Sequence, residues 1–454
     1  MIQIDSKLTE KGLRAKVDRL FSVSAEKVRS LEAAWDPAQG SPVFTVGGQY
    51  TSRGWTEWTQ GFQFGSAILQ YDATGDKSFL EMGRTHTLNH MAPHVTHVGV
   101  HDHGFNNVST YGNLLRLMNE GFIPDNAWER RFYELALKCS GAVQAARWTP
   151  IAEGGGFIYS FNGPHSLFVD TIRSLRALSV SHHLGHVLMV ENDRRVSLLG
   201  RLVDHARATA RYSVFYGEGR DAYDVRGRVA HESVFNTNDG LFRCPNSQQG
   251  YSPFSTWTRG LAWAMCGFAE QLEFFEALGG KHFESANSKA DIVTMMRTAA
   301  EAVCDFYIEN TPPDGVPYWD TGAPGLAKLG TWRLTPADPF NAYEPVDSSA
   351  AAIAAQGLLR LGRYLKNERY RQAGLTVANT LLDEPYLSTD PKHHGILLHA
   401  VYHRPNNWDA IPEGQKVPAG ESCMWGDYHA LELGVYLLRL IENKPYLTFW
   451  SESR

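Results

Sequence analysis

Apolar residues recur along this chain at i, i+3, i+4 and i+7 almost everywhere, while the strict alternation of a half-buried strand is rare. Two kinds of helical stretch take turns. In the first, an aromatic or His/Asp-rich loop enters a run dense in small and apolar residues, which stops near a glycine or a polar turn. This kind recurs at 55–71, 102–118, 166–183, 257–278, 347–365 and 425–441. In the second, Lys, Arg and Glu occupy one face; it recurs at 11–33, 77–90, 127–147, 193–212, 290–307 and 368–382. A helix apolar nearly all round belongs inside and an amphipathic one outside. The alternation predicts an all-α (α/α)6 barrel, a closed toroid of six helical hairpins. An open α-solenoid shows the same alternation, but six hairpins account for the whole length and favour closure. Loops entering the inner helices would then meet at one end and line one pocket.

Composition narrows the picture. A length of 454 residues suggests two or three domains by itself. No Pro/Ser-rich or highly charged linker divides the chain, so a single domain spanning 1–454 is expected. A net charge of −6 argues against a nucleic-acid partner, which needs concentrated Lys and Arg. No apolar run approaches the ~18 residues of a membrane span, and the opening MIQIDSKLTEKGLRAKVDRL lacks the apolar core of a signal peptide. Cys139, Cys244, Cys266, Cys304 and Cys423 are scattered and odd in number, the pattern of reduced thiols. A cytoplasmic setting without a membrane partner follows. The many aromatic residues, several at loop–helix junctions, favour sugar stacking.

The chemistry concentrates in a few places. In QGYSPFSTWTRGLAWAMCGF, 249–268, Arg259 and Trp263 stand four apart and share one helical face, with Gln249 on the approach loop. A guanidinium suits a carboxylate through two parallel hydrogen bonds, and an indole suits the apolar face of a sugar. Asp102, in VGVHDHGF, has His101 and His103 to balance its charge. Asp170 lies in the apolar stretch FVDTI, too far into the expected helix to be a cap, so desolvation is expected to raise its pKa and keep it protonated. Two carboxyls in different settings are what acid/base division of labour requires. Asp347 and Asp427 read as helix caps. His86, His90, His94, His97, His101 and His103 recur at metal-like spacing, but Pro93 breaks the run and no HExxH occurs, so no metal is expected.

In these blocks the chain resembles the unsaturated glucuronyl hydrolases, family 88 of the glycoside hydrolases, with the related family 105. HDHGF at 101–105, LFVDTIRSL at 167–175, QGYSPFSTWTRGLAW at 249–263, PYWD with EPVDSSAAAIAAQGLL around 317–359 and WGDYHALE at 425–432 carry the resemblance. It implies that Asp170 is the general acid/base and Asp102 the second essential aspartate. It places Gln249, Arg259 and Trp263 in the substrate pocket and His231 near the reacting end of the sugar, with Trp55 as an aromatic wall. Two departures stand out. Phe157 and Tyr159 occupy a glycine-rich segment where a Trp is common, and the approach 399–420 lacks a Ser/Lys cluster suited to a sulfated sugar.

The implied reaction acts on the C4=C5 double bond that lyases leave on the terminal uronic acid of an oligosaccharide. Asp170 protonates C4 and water adds at C5. The hemiketal then opens to release the next sugar, and no cofactor takes part. Three other readings remain open: an inverting glycosidase with Asp102 and Asp170 flanking an anomeric carbon, a sugar epimerase using two histidines, and a non-catalytic glycan-binding toroid.

Overall fold

The computed structural model describes residues 1–54, 57–279, 282, 286–445 and 447–450. Six inner helical segments, Gln60–Thr74, 103–119, 171–183, Thr258–Ala277, Ser348–Leu365 and Met424–Ile441, each pack against the next, and the last packs back on the first. The ring is closed, so the (α/α)6 barrel expected from the pattern is the fold. Outer helices Arg14–Ala34, Lys77–His90, Ala127–Ala146, Leu198–Ala208, Ala286–Asn310 and Glu368–Leu381 cover it. None of the described helices is long and apolar enough to cross a membrane.

Glycine lets the inner helices approach closely. A Cβ on Gly61 would stand 2.2 Å from the Asn106 carbonyl oxygen, and one on Gly104 would stand 2.1 Å from that of Ser174. Either contact lies far inside van der Waals distance, so a side chain at these positions would force the ring apart.

Capping separates the two layers. Asp76, Asn126, Ser197 and Asn367 cap outer helices through their side chains. Among the described inner helices only Ser348–Leu365 is capped in this way, by Asp347, whose carboxylate accepts from Ser349 and Ala350 N–H. The other inner N-termini have no side chain from their N-cap residue on the first turn, and Gly61 and Gly104 N–H donate instead to Asn106 Oδ1 and Ser174 Oγ of neighbouring inner helices. Asp427 is not a cap. It lies in the first turn of its helix and accepts from Tyr50, Ser422 and the backbone of Ile396 and Leu397, tying loop to barrel.

One expected boundary is wrong. Ser166–Phe168 is a strand, not a helical turn, because it pairs antiparallel with Glu232–Phe235. The helix begins only at Thr171, which puts Asp170 at its N-cap position without a side-chain cap bond.

Below this point the barrel holds buried charge. Arg173 pairs with Glu270 and Glu432, each at 2.9 Å, and Arg176 pairs with Glu432 at 3.1 Å. These pairs join three inner helices. Removing one partner strands a buried charge, so Glu432→Ala should lose about 3–5 kcal/mol of stability, measured by denaturant unfolding.

Candidate active site

The loops ahead of the inner helices enclose a cleft of about 540 Å³. Its acidic wall comes from residues that immediately precede two helices: Asp102 before 103–119 and Asp170 before 171–183. His101 stands between them. Its Nε2 lies 3.8 Å from Asp102 Oδ1 and 3.7 Å from Asp170 Oδ1, and the ring is 1% exposed. Ser174 Oγ and Gln144 Nε2 both donate to the His101 carbonyl, at 2.7 and 2.8 Å, which fixes the loop against the barrel. Phe168 meets the imidazole edge-on and Phe161 stacks on it.

Electrostatics divides the two acids in the direction opposite to the sequence expectation. Burial, reinforced by the charge of Asp170, pushes Asp102 up to about 6. Burial also acts on Asp170, but the proton and charge of His101, with His231 adding, outweigh it and hold Asp170 below the usual carboxylate range. His101 responds in kind: burial lowers its pKa, yet the two carboxylates leave it above the ordinary value. Asp170 is therefore not the resting acid that its apolar neighbours suggested. The sequence around it carries no sign of His101, which comes from another loop.

His231 has one defined tautomer. Its Nδ1 accepts from the N–H of Gln248 at 3.0 Å and of Gln249 at 3.3 Å, so the proton sits on Nε2. Burial pulls its pKa down to about 4, and the ring is a neutral donor. Gln249 Oε1 accepts from Arg259 Nη2 at 3.0 Å, which leaves its amide N–H groups for the cleft.

Arg259 lines the cleft but does not offer the fork expected of it. Nη1 donates to Asp347 Oδ2 at 2.8 Å and to the Val401 carbonyl at 2.6 Å, while Nη2 serves Gln249 and the Tyr402 carbonyl at 2.8 Å. Both terminal nitrogens are engaged, and Trp257 and Trp425 flank the guanidinium. The residue anchors the 401–402 backbone and orients Gln249.

Trp263 lies in the cleft wall against Phe105 and His429. Trp55 lies outside the described residues. Trp58, stacked on Trp425 with centroids 5.1 Å apart, supplies aromatic surface nearby. Sequence reasoning missed Trp58, Phe161, Tyr402, His403 and Trp408, all cleft residues. Only their membership of aromatic loops could have signalled them.

Among the described residues, one group brings three ligand-type atoms within 4.8 Å of one another: His101, Asp102 and Asp170. The histidine run noted in the sequence does not converge. His86 pairs with Glu32, and His103 bonds Ser140 Oγ and the His97 carbonyl.

No protein-family model matches the chain. An unsaturated glucuronyl hydrolase of Formosa agariphila is 26% identical over 392 residues, spanning 83% of this chain and 78% of that protein. An unsaturated chondroitin disaccharide hydrolase of Streptococcus agalactiae is 22% identical over 390 residues, spanning 83% and 80%. Among solved structures, the unsaturated glucuronyl hydrolase of Bacillus sp. GL1 superimposes with a TM-score of 0.70 at 22% identity, covering 96% of this chain and 99% of that one. An unsaturated glucuronyl hydrolase specific for heparin gives 0.71 at 19% identity, covering 94% and 98%. The chain is similar to the unsaturated glucuronyl hydrolases in sequence and in fold. The family resemblance read from its motifs holds across nearly its whole length.

Because Arg259 serves the scaffold, Arg259→Lys should not rescue Arg259→Ala. Both should lower Tm and cut kcat/KM about tenfold or more, as expected when several buried hydrogen bonds to a charged group are lost. A stable Arg259→Ala variant altered in KM alone would return the residue to direct substrate binding.

Proposed function

We propose that this protein is a glycoside hydrolase that removes the terminal Δ4,5-unsaturated uronic acid from lyase-generated oligosaccharides. The observation that carries the reading is His101 set between Asp102 and Asp170 at the wall of an aromatic cleft. Relatives named unsaturated glucuronyl hydrolase and unsaturated chondroitin disaccharide hydrolase support it. So do neighbours solved as variants with the unsaturated oligosaccharides dGlcA-Glc-Rha-Glc and dGlcA-GalNAc6S.

In the proposed chemistry, Asp170 delivers a proton to C4 of the enol ether while positive character grows at C5. Asp170, again a carboxylate, takes a proton from the water that adds at C5. The C5 hemiketal opens to a ketone, and the hemiacetal left at C1 releases the next sugar. The resting ionisation of Asp170 is no obstacle. The entering uronate adds negative charge beside the acids and raises their proton affinity, which draws the His101 proton across 3.7 Å to Asp170. Asp102, raised to about 6, steadies the charge on His101 and holds proton density close by.

The uronate meets the Gln249 amide and the N-terminal dipole ends of inner helices that carry no side-chain cap. Trp263 and Trp58 face the ring. No cofactor enters the proposed steps. The proposal treats the chain as one catalytic unit working in the cytoplasm, a setting supported by five cysteines that form no disulfide.

The test is a panel of unsaturated disaccharides followed by loss of the ultraviolet absorbance of the double bond. The expected result is loss of absorbance and no cleavage of the saturated glucuronide; the reverse would establish an ordinary glycosidase. Asp170→Asn should remain folded and lose about 10²–10⁴-fold in kcat, the worth of a general acid/base step. Asp102→Asn removes the anion that helps hold the proton on its neighbours. The alkaline limb of kcat/KM should therefore move to lower pH, which a pH series would measure.

A further inference from the structure

Arg147 follows the outer helix Ala127–Ala146 and closes it, its backbone N–H donating to the Gln144 carbonyl. The residue is 6% exposed and does not line the cleft. All three of its guanidinium nitrogens donate to backbone carbonyls, and those carbonyls belong to two different loops. Nη1 donates to the carbonyl of Val98, in the loop 96–102 that carries His101 and Asp102. Nε donates to that of Tyr159 at 3.2 Å and Nη2 to that of Ser160 at 2.8 Å, both just ahead of Phe161. The guanidinium lies over the Tyr159 ring, 4.3 Å from its centre. Phe161 in turn stacks on the His101 imidazole, with centroids 5.9 Å apart. Arg147 thus ties together the two loops that meet on that ring.

The loop 96–102 contains no helix or strand, so its buried carbonyls need partners from elsewhere. His103 Nε2 takes that of His97 at 2.8 Å, and Gln144 and Ser174 take that of His101. Of these donors, Arg147 alone also reaches the Phe161 loop. We propose that Arg147 is a positioning residue for the acid/base group, clamping the loop of His101 to the loop of Phe161 so that the imidazole stays between the two carboxylates. The inference rests on the reading of Asp170 as the acid/base. His101 Nε2 stands 3.7 Å from Asp170 and 3.8 Å from Asp102, so a small displacement of the loop breaks one of the two approaches. A rigid fork of donors bridges three carbonyls at once. A lysine ammonium on a flexible stem does not hold that span.

Burial lowers the pKa of the His101 imidazole, Asp102 and Asp170 raise it, and the charge of Arg147 lowers it. His231 and His205, kept neutral by burial at about 4 and about 3, are the other titratable groups that feel its charge. Arg147→Lys keeps a cation and gives up the span, which separates position from charge.

The measurement is kcat and KM against pH on an unsaturated disaccharide, well below the Tm of each variant, with thermal unfolding alongside. In Arg147→Lys, kcat should fall about 10²-fold, the cost of a misplacement on the order of 1 Å. KM should stay near the wild-type value, because the Gln249 amide that takes the uronate is held by Arg259, outside the clamp. The alkaline limb should move to lower pH by about one unit, since an imidazole out of step with its carboxylates gives up its proton earlier. Tyr159→Leu removes the ring beneath the guanidinium and should move the limb the same way by less. It decides the matter where Arg147→Lys fails to fold. An unmoved limb in the folded variant, whatever happens to kcat or Tm, would overturn the proposal. So would a limb moved to higher pH, which loss of the Arg147 charge by itself would give. An active Asp170→Asn would instead overturn the reading of the acid beneath it.

Discussion

One proton held between two buried carboxylates organises this protein. Two aspartates side by side in a desolvated wall cannot both ionise cheaply, and His101 between them resolves the conflict by carrying positive charge. It leaves Asp170 ionised and Asp102 raised to about 6. The site is thus loaded with a proton that belongs to the group of three, and a bound anion can shift it toward the reacting carbon. The acid strength of Asp170 is a property of its company more than of its own burial.

The scaffold serves this arrangement. A closed ring directs the inner N-termini to one end, and most of them carry no side-chain cap, so their dipole ends favour an anionic sugar. Gly104, in the first turn after Asp102, packs against the backbone of Ser174, and Ser174 Oγ holds the carbonyl of His101. The two aspartates are therefore registered to each other through backbone contacts rather than long side chains. Arg173, three residues after Asp170, is locked in the ion cluster with Glu270 and Glu432. Arg259 performs the same office elsewhere in the cleft, binding the 401–402 backbone to Asp347 and holding Gln249 through its Oε1. Charge in this barrel is used mainly to hold geometry.

The architecture was legible because it rests on periodicity. Small and apolar residues on six helices, and charge on six others, are local features that survive without tertiary information. Asp102, Asp170, Gln249, Arg259 and Trp263 all reach the cleft, since each belongs to a loop or to the first two turns of an inner helix. What local sequence could not supply is partnership. FVDTI reads as an apolar helical setting for Asp170, but pairing of Ser166–Phe168 with Glu232–Phe235 turns the approach into a strand, and His101 from a separate loop stands beside the acid. Likewise Arg259 looks free in STWTRGLAW, because the carbonyls of Val401 and Tyr402 that engage it lie more than a hundred residues away.

The most direct test of the proposed chemistry is to run the reaction in D2O with an unsaturated disaccharide and follow the vinylic proton at C4 by NMR. Proton delivery from Asp170 predicts that the vinylic signal disappears as the sugar is released, with a single deuteron placed at C4, and that Asp170→Asn suppresses both changes together. Release of the sugar with the vinylic signal intact would contradict it.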